Sequence, residues 1–314
     1  MNGQKSMNFR GIILVFVFLC LSVNIALAQN EKLSVFVSIL PQKYFAEKLL
    51  GENGNVEVLI GPGQSPHTYE PLPQQMGKLS RSDIFLTVGI PFEKALIGKL
   101  VSLCPNLKII ASDNGIEKRI MTEEHTHHEE HGHHEHHDEG EHHHEEVHHH
   151  GVGEKDPHFW LDPEKALFMA ENMAKAFEEA KPELQSSITA NLEGLKQELS
   201  SLTDELNKTL LPYKGQTMLV FHPAFGYFAD KFGLVQKSVE IEGKEPAPKQ
   251  LAELIKNCRA EGIKVIFVQK QFPAATAKTI ADSIGGKVVA IDPLAEDYIQ
   301  NLKSMADLVA VPAN

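Results

Sequence analysis

From residue 33 onward, short apolar runs alternate with longer amphipathic stretches. The runs at 33–39, 56–60, 84–88 and 107–111 are five to seven residues long and rich in Val, Ile and Leu. Continuous apolar runs of that length predict strands buried on both faces, as in a parallel sheet covered by helices. Between them, 42–50 and 92–100 repeat their apolar residues at steps of three and four, the period of a helix. A second series follows, with strands at 218–221, 234–241, 265–268 and 287–291 and helices near 225–232, 248–261, 274–284 and 296–308. Strand and helix alternating along a chain is the mark of α/β architecture. The pattern therefore predicts an α/β protein of two lobes, each a mostly parallel sheet flanked by helices.

Between the two series, Leu184, Ile188, Leu192, Leu195, Leu199, Leu202, Leu206 and Leu210 form one continuous apolar stripe. Pro182 and Pro212 mark its ends. Residues 183–211 thus predict a single helix, roughly 40 Å long at 1.5 Å per residue. The same stripe suits a coiled-coil dimer, but between two sheet domains a rigid spine packed across both is the better reading, and the chain is expected to be a monomer. The expected organisation is a leader at 1–28, an N-terminal lobe at 29–182, the linking helix at 183–211 and a C-terminal lobe at 212–314.

The ends and the charge refine this picture. Lys5 and Arg10, then an apolar run over 11–21, then Ala26-Leu27-Ala28 have the three parts of an export signal cleaved near Ala28. The run is shorter than the ~20 residues a membrane span requires. Cys20 raises a lipid-anchored form, but Leu19 is a poor residue to precede a lipidated cysteine. A soluble periplasmic protein is expected. Ten acidic residues with no Lys or Arg lie in 121–150, so the net charge of −12 belongs almost wholly to that segment. The remainder is near neutral and lacks the basic footprint of a nucleic-acid binder. Residues 121–150 also hold fourteen of the 17 histidines, a composition that cannot bury enough apolar surface to fold and is expected to be a disordered loop. Beyond the leader, Cys104 and Cys258 fall in different lobes with no CxxC spacing, so free thiols are expected and any metal chemistry must use nitrogen and oxygen.

Three histidines remain, each at a break in secondary structure. His67 follows a strand, in Ser65-Pro66-His67-Thr68-Tyr69-Glu70-Pro71. His158 precedes a helix, in Asp156-Pro157-His158-Phe159-Trp160. His222 ends a strand, in Phe221-His222-Pro223-Ala224-Phe225-Gly226. Ligands of open α/β sheets bind at the carboxyl ends of strands. Three such histidines split across two lobes, in a chain that also carries a histidine-rich segment, predict one tetrahedral Zn2+ site of neutral imidazoles. A fourth ligand is needed. Asp292, in Ile291-Asp292-Pro293, stands at the end of the last strand and either supplies it or caps the helix that follows.

The segments around the three histidines, Ile291-Asp292-Pro293-Leu294, the long joining helix and the His/Asp/Glu-rich insertion together resemble the metal-binding proteins of ABC-class zinc importers, the ZnuA-like branch (cluster A-I). The resemblance covers essentially the whole chain after the leader. It implies metal in the cleft between two lobes, captured outside the inner membrane and delivered to an ABC permease. In manganese-binding relatives the position of His222 is typically a carboxylate, so a nitrogen favours zinc over the harder Mn2+. In some members an acidic residue beside the first histidine completes the shell; here that neighbour is Pro66, which adds weight to Asp292. Members with a disulfide in the second lobe differ, since Cys258 stands alone there.

The expected mechanism has two stages: weak sites in the histidine-rich segment concentrate zinc, and the tight site takes it over. Affinity should fall below about pH 6.5, because imidazole must shed its proton to ligate. Release is expected through movement of a ligand-bearing loop. The alternatives are a manganese or other divalent-metal-binding adhesin-like lipoprotein, and a zinc hydrolase with a three-histidine site. The second is disfavoured by the absence of HExxH and by a fourth protein ligand, which would close the site to substrate.

Overall fold

The computed structural model describes residues 31–121, 155–241, 243–272 and 274–310. The predicted leader, and the histidine-rich segment apart from Met121, lie outside the described residues. The first lobe runs β1 (Leu33–Val37), α1 (Leu40–Leu50), β2 (Gly54–Val58), α2 (Pro73–Leu79), β3 (Ile84–Thr87), α3 (Pro91–Leu103) and β4 (Lys108–Ala111). All its strands are parallel, in the order β2-β1-β3-β4, with Leu33 opposite Gly54, Val35 opposite Ile84 and Ile84 opposite Lys108. The helices α4 (Pro163–Ala180) and α5 (Gln185–Leu210) follow. The second lobe runs β5 (Thr217–Val220), α6 (Gly226–Phe232), β6 (Val235–Ser238), α7 (Pro248–Ala260), β7 (Val265–Gln269), α8 (Ala275–Ile284), β8 (Lys287–Ile291) and α9 (Tyr298–Ala310). Its order, β6-β5-β7-β8, repeats that of the first lobe, again all parallel.

Local chemistry sets the helix ends. Proline stands in the first turn of α1, α2, α3, α4 and α7, where its missing N–H is no loss and its fixed φ suits a helix. At α4 the cap is Asp162, whose side chain accepts from the amide of Glu164 at 2.9 Å. Gly233 and Gly285 close α6 and α8 in the left-handed conformation that only glycine adopts cheaply.

Two helices differ from expectation in extent. The amphipathic 18-residue α4 was expected only as a helix beginning after His158, and a 3-10 turn at Phe159–Leu161 comes first. The predicted spine over 183–211 is α5 with 3-10 turns at Pro182–Leu184 and Leu211–Tyr213, each tightened around a proline. Its stripe Ile188, Leu195, Leu199, Leu202, Leu206 and Leu210 is buried. It packs against α4, α1 of the first lobe and α9 of the second, so it does bridge both. One apolar core runs from Val35 and Phe45 through Met169, Phe177 and Leu199 to Phe228 and Leu302, without a break between lobes.

Polar contacts reinforce that junction. Trp160 donates its indole N–H to the Pro293 carbonyl at 2.8 Å, and the Tyr298 hydroxyl donates to the Trp160 carbonyl at 2.7 Å. Lys43 of α1 pairs with Glu296 of the second lobe. Among the described residues, no helix is long and apolar enough to cross a membrane.

Candidate metal centre

In a sheet of order 2-1-3-4, the crossovers leave the first strand in opposite directions, which opens a crevice at the carboxyl ends of the first and third strands. Both lobes have this order, and the loops after those strands meet. The resulting cavity of about 20 Å³ is lined by Ile90 and Pro91 after β3, His222 and Ala224 after β5, and Gln269 and Gln271 at and after β7. His67 from the β2–α2 loop, His158 and Trp160 from the segment before α4, and Pro293 and Leu294 after β8 complete the wall.

The three histidines come together here. Their ligand nitrogens lie within 4.8 Å of one another. The ring centroids of His67 and His222 are 4.6 Å apart, and those of His158 and His222 are 5.6 Å apart. A tetrahedral zinc ion with Zn–N near 2.0–2.1 Å sets its nitrogens about 3.3 Å apart, so closure by at most about 1.5 Å suffices. His158 and His222 are buried, and His67 is partly exposed.

Each buried ring is held from behind by a carboxylate. His158 donates its Nδ1 proton to Asp156 Oδ1 at 2.8 Å, and its backbone amide donates to the same oxygen at 2.9 Å. His222 donates its Nδ1 proton to Glu240 Oε2 at 2.7 Å. Its backbone is gripped by Gln269, which accepts from the His222 amide at 3.2 Å and donates to its carbonyl at 2.6 Å. A carboxylate only accepts, so each Nδ1 carries the proton and each Nε2 carries the lone pair that a metal needs. Such partners fix the tautomer, aim the ring and raise its basicity. Phe272 stacks on the His222 ring at 5.1 Å, and Trp160 sits edge-on to His158 at 5.4 Å, so apolar surface surrounds the nitrogens.

Asp292 is not in this group. Its Oδ1 accepts from the Leu294 amide at 2.9 Å and from Gln271 Nε2 at 3.1 Å, and its Oδ2 lies 3.9 Å from Lys270 Nζ. These are the contacts of a turn over 292–294 and not of a helix cap: α9 begins at Tyr298, and there Asp297 Oδ1 accepts from the Gln300 amide.

Sequence reasoning overlooked Asp156, Glu240, Gln269 and Gln271. Asp156 had a local signal, since a carboxylate two residues before a histidine reaches its Nδ1 when the chain turns. Glu240 had none, being 18 residues from His222 and brought beside it by the pairing of β5 with β6. Behind the β3 loop, Glu93 of α3 is also buried. It accepts from the amides of Val88, Gly89 and Ile90 and from the Ser38 hydroxyl, which ties the Ile90-Pro91 wall to the end of β1. Burial pushes its carboxyl up to about 7 against the pull of those donors.

Residues 35–310 match the family described as zinc-uptake complex component A, periplasmic (ZnuA). The chain belongs to the ZnuA family. Among curated members, the zinc-binding protein AdcA of Streptococcus pyogenes is 28% identical over 282 residues, which cover 89% of this chain and 54% of AdcA. The chain thus spans about half the length of the AdcA proteins it matches. The high-affinity zinc uptake system protein ZnuA of Brucella abortus is 28% identical over 325 residues, covering 96% of this chain and 97% of that protein. A crystal structure of a ZnuA deletion mutant with zinc bound is 33% identical, with a TM-score of 0.77, and the match covers 89% of this chain and 97% of that one. The two-lobe ZnuA fold, two four-stranded parallel sheets joined through a long helix, is therefore the fold of this chain.

Proposed function

We propose that this protein captures Zn2+ outside the inner membrane and delivers it to an ABC-type permease, with His67, His158 and His222 as the ligands. The observation that carries the reading is the meeting of three imidazoles from both lobes, two of them with Nδ1 bound to a buried carboxylate. Three nitrogen donors suit zinc better than manganese, whose sites are richer in oxygen. Membership of the ZnuA family supports the role in uptake, and so do relatives named for zinc binding and zinc uptake. The cavity of about 20 Å³ beside the three histidines has room for an ion.

The finer parts of the reading rest on sequence. Residues 1–28 act as a cleaved export signal, residues 121–150 as a store of weakly held zinc, and the mature chain as a monomer. The continuous core and the α5 spine support release by movement of the His67 loop, the most exposed of the three ligand segments, rather than by separation of the lobes.

Zinc titration against a competing chelator tests the site. The purified protein should bind one ion tightly, and His158→Ala should lose that ion while a shallower phase from residues 121–150 persists. Preference for Mn2+ over Zn2+, or tight zinc binding unaffected by His158→Ala, would contradict the assignment. For the transport role, a strain lacking the gene should stop growing in chelated medium and recover when zinc is added. Growth equal to the parent strain would count against uptake.

A further inference from the structure

Resting on the zinc reading above, the contacts of Gln271 and Asp292 point to the group at the metal's fourth position. Gln271 lines the same cavity as the three histidines. Its side-chain Oε1 is buried and has no hydrogen-bond partner among the described residues. A buried amide oxygen without a donor costs free energy, so such an atom in a site calls for a ligand.

The orientation of this amide follows from its neighbour. Gln271 meets Asp292 Oδ1 at 3.1 Å, and that oxygen already accepts from the Leu294 amide. An acceptor can be satisfied only by the NH2 end of a glutamine, which sends Nε2 to Asp292 and leaves Oε1 on the other side. The flipped amide would set Oε1 against that carboxylate oxygen, two acceptors with no proton between them.

We infer that Gln271 Oε1 is the protein oxygen that completes the zinc shell, and that Asp292 is a positioning residue that aims it. This arrangement gives the site three nitrogens and one neutral oxygen. It adds no further charge beside the carboxylates of Asp156 and Glu240, and a neutral amide is a weaker ligand than a carboxylate, which suits an ion that must later be released. It also assigns a task to Asp292, whose Oδ1 is engaged by Leu294 and Gln271.

Zn2+ competition titration and the visible absorption of the Co2+ form, measured on the mature protein, separate the roles. Apo-protein melting curves confirm that each variant folds. Gln271→Leu removes the oxygen at similar volume and should weaken zinc by about 10–100-fold and alter the Co2+ bands. Asp292→Ala should fall in the same range. Asp292→Asn should stay within about twofold of wild type with unchanged bands, because Asn keeps an acceptor for Gln271 and Leu294 while losing the charge. In the double variant Gln271→Leu with Asp292→Ala the losses should not add, since both act through one atom.

Wild-type affinity and spectrum in Gln271→Leu would overturn the inference. So would an Asp292→Asn variant as impaired as Asp292→Ala, because that makes the carboxylate itself the ligand. His158→Ala is the control on the underlying site: if it retains the wild-type Co2+ spectrum, the three-histidine reading fails, whereas its loss beside an unaffected Gln271→Leu leaves that reading intact and rejects only the role of Gln271.

Discussion

The zinc binding proposed for this protein rests on single residues that local sequence does not couple. Glu240 holds the His222 ring through Nδ1 from a neighbouring strand end. Glu240→Ala should weaken zinc about 10–100-fold, as outer partners of metal-bound histidines do, and should lower the stability of the apo-protein by about 1–3 kcal/mol by leaving the buried Nδ1 of His222 without its acceptor. Chelator competition and calorimetry would check both halves, and unchanged affinity would remove Glu240 from the site. Glu93 offers a different signature. Its carboxyl is raised from 4.5 to about 7, chiefly by burial. Between those pH values the folded state keeps a proton that the unfolded state has released. Its contribution to stability is therefore complete below about pH 4.5 and is lost as pH rises through 7, a total on the order of 3 kcal/mol. Denaturant titrations of wild type and Glu93→Gln at pH 5, 6, 7 and 8 should show this slope in wild type and a flatter one in the variant. Parallel profiles would refute the assignment.

Among the elements, α5 gives predictions of opposite sign. Leu199 is buried on the stripe, and Leu199→Ala should cost about 2–5 kcal/mol through lost contacts and a residual cavity. Gly194 lies on the exposed side of the same helix, and a Cβ built there meets no atom within 4 Å. Gly194→Ala should stabilise the protein by about 0.5–1 kcal/mol, because alanine gives up less backbone freedom in a helix. Urea midpoints at constant slope would measure both. Destabilisation by Gly194→Ala would mean that the glycine serves a purpose this packing does not reveal. The stripe of α5 was legible because a helical period sustained over seven turns marks a helix whether it packs on its own lobes or on a second copy. The seven-residue α2 was not, since Pro73 to Leu79 buries Leu79 and little else.

At the scale of the molecule, the lobes share one core and are tied through Trp160 and Tyr298. Tyr298→Phe removes the donor to the Trp160 carbonyl and should destabilise the protein by about 1–3 kcal/mol. A spine of this kind also predicts that zinc binding leaves the overall dimensions unchanged. Small-angle scattering of the zinc-loaded and zinc-free protein should superimpose, and compaction on loading would argue for hinge closure instead. The two matched sheets, each with its crevice at the carboxyl end, explain why the three histidines meet at their junction: the loops free to carry function are the ones left there by the crossovers.

The sequence by itself determined what depends on near neighbours: the alternation of strand and helix, the long helix, and the three histidines that stand outside the biased segment. Each of these is a matter of period, composition or position beside a break, and requires no knowledge of distant contacts. Tertiary structure alone decided which groups meet. The 155 residues of chain that separate His67 from His222 are bridged by the packing of two lobes, which brings the rings to 4.6 Å. The pairing of β5 with β6 brings Glu240 to His222, and the turn after β8 takes up Asp292 while directing Gln271. A carboxylate at a strand end can be a ligand, a cap or the support of another ligand. Which of these it becomes depends on the groups that packing brings to its two oxygens, and spacing along the chain does not encode them.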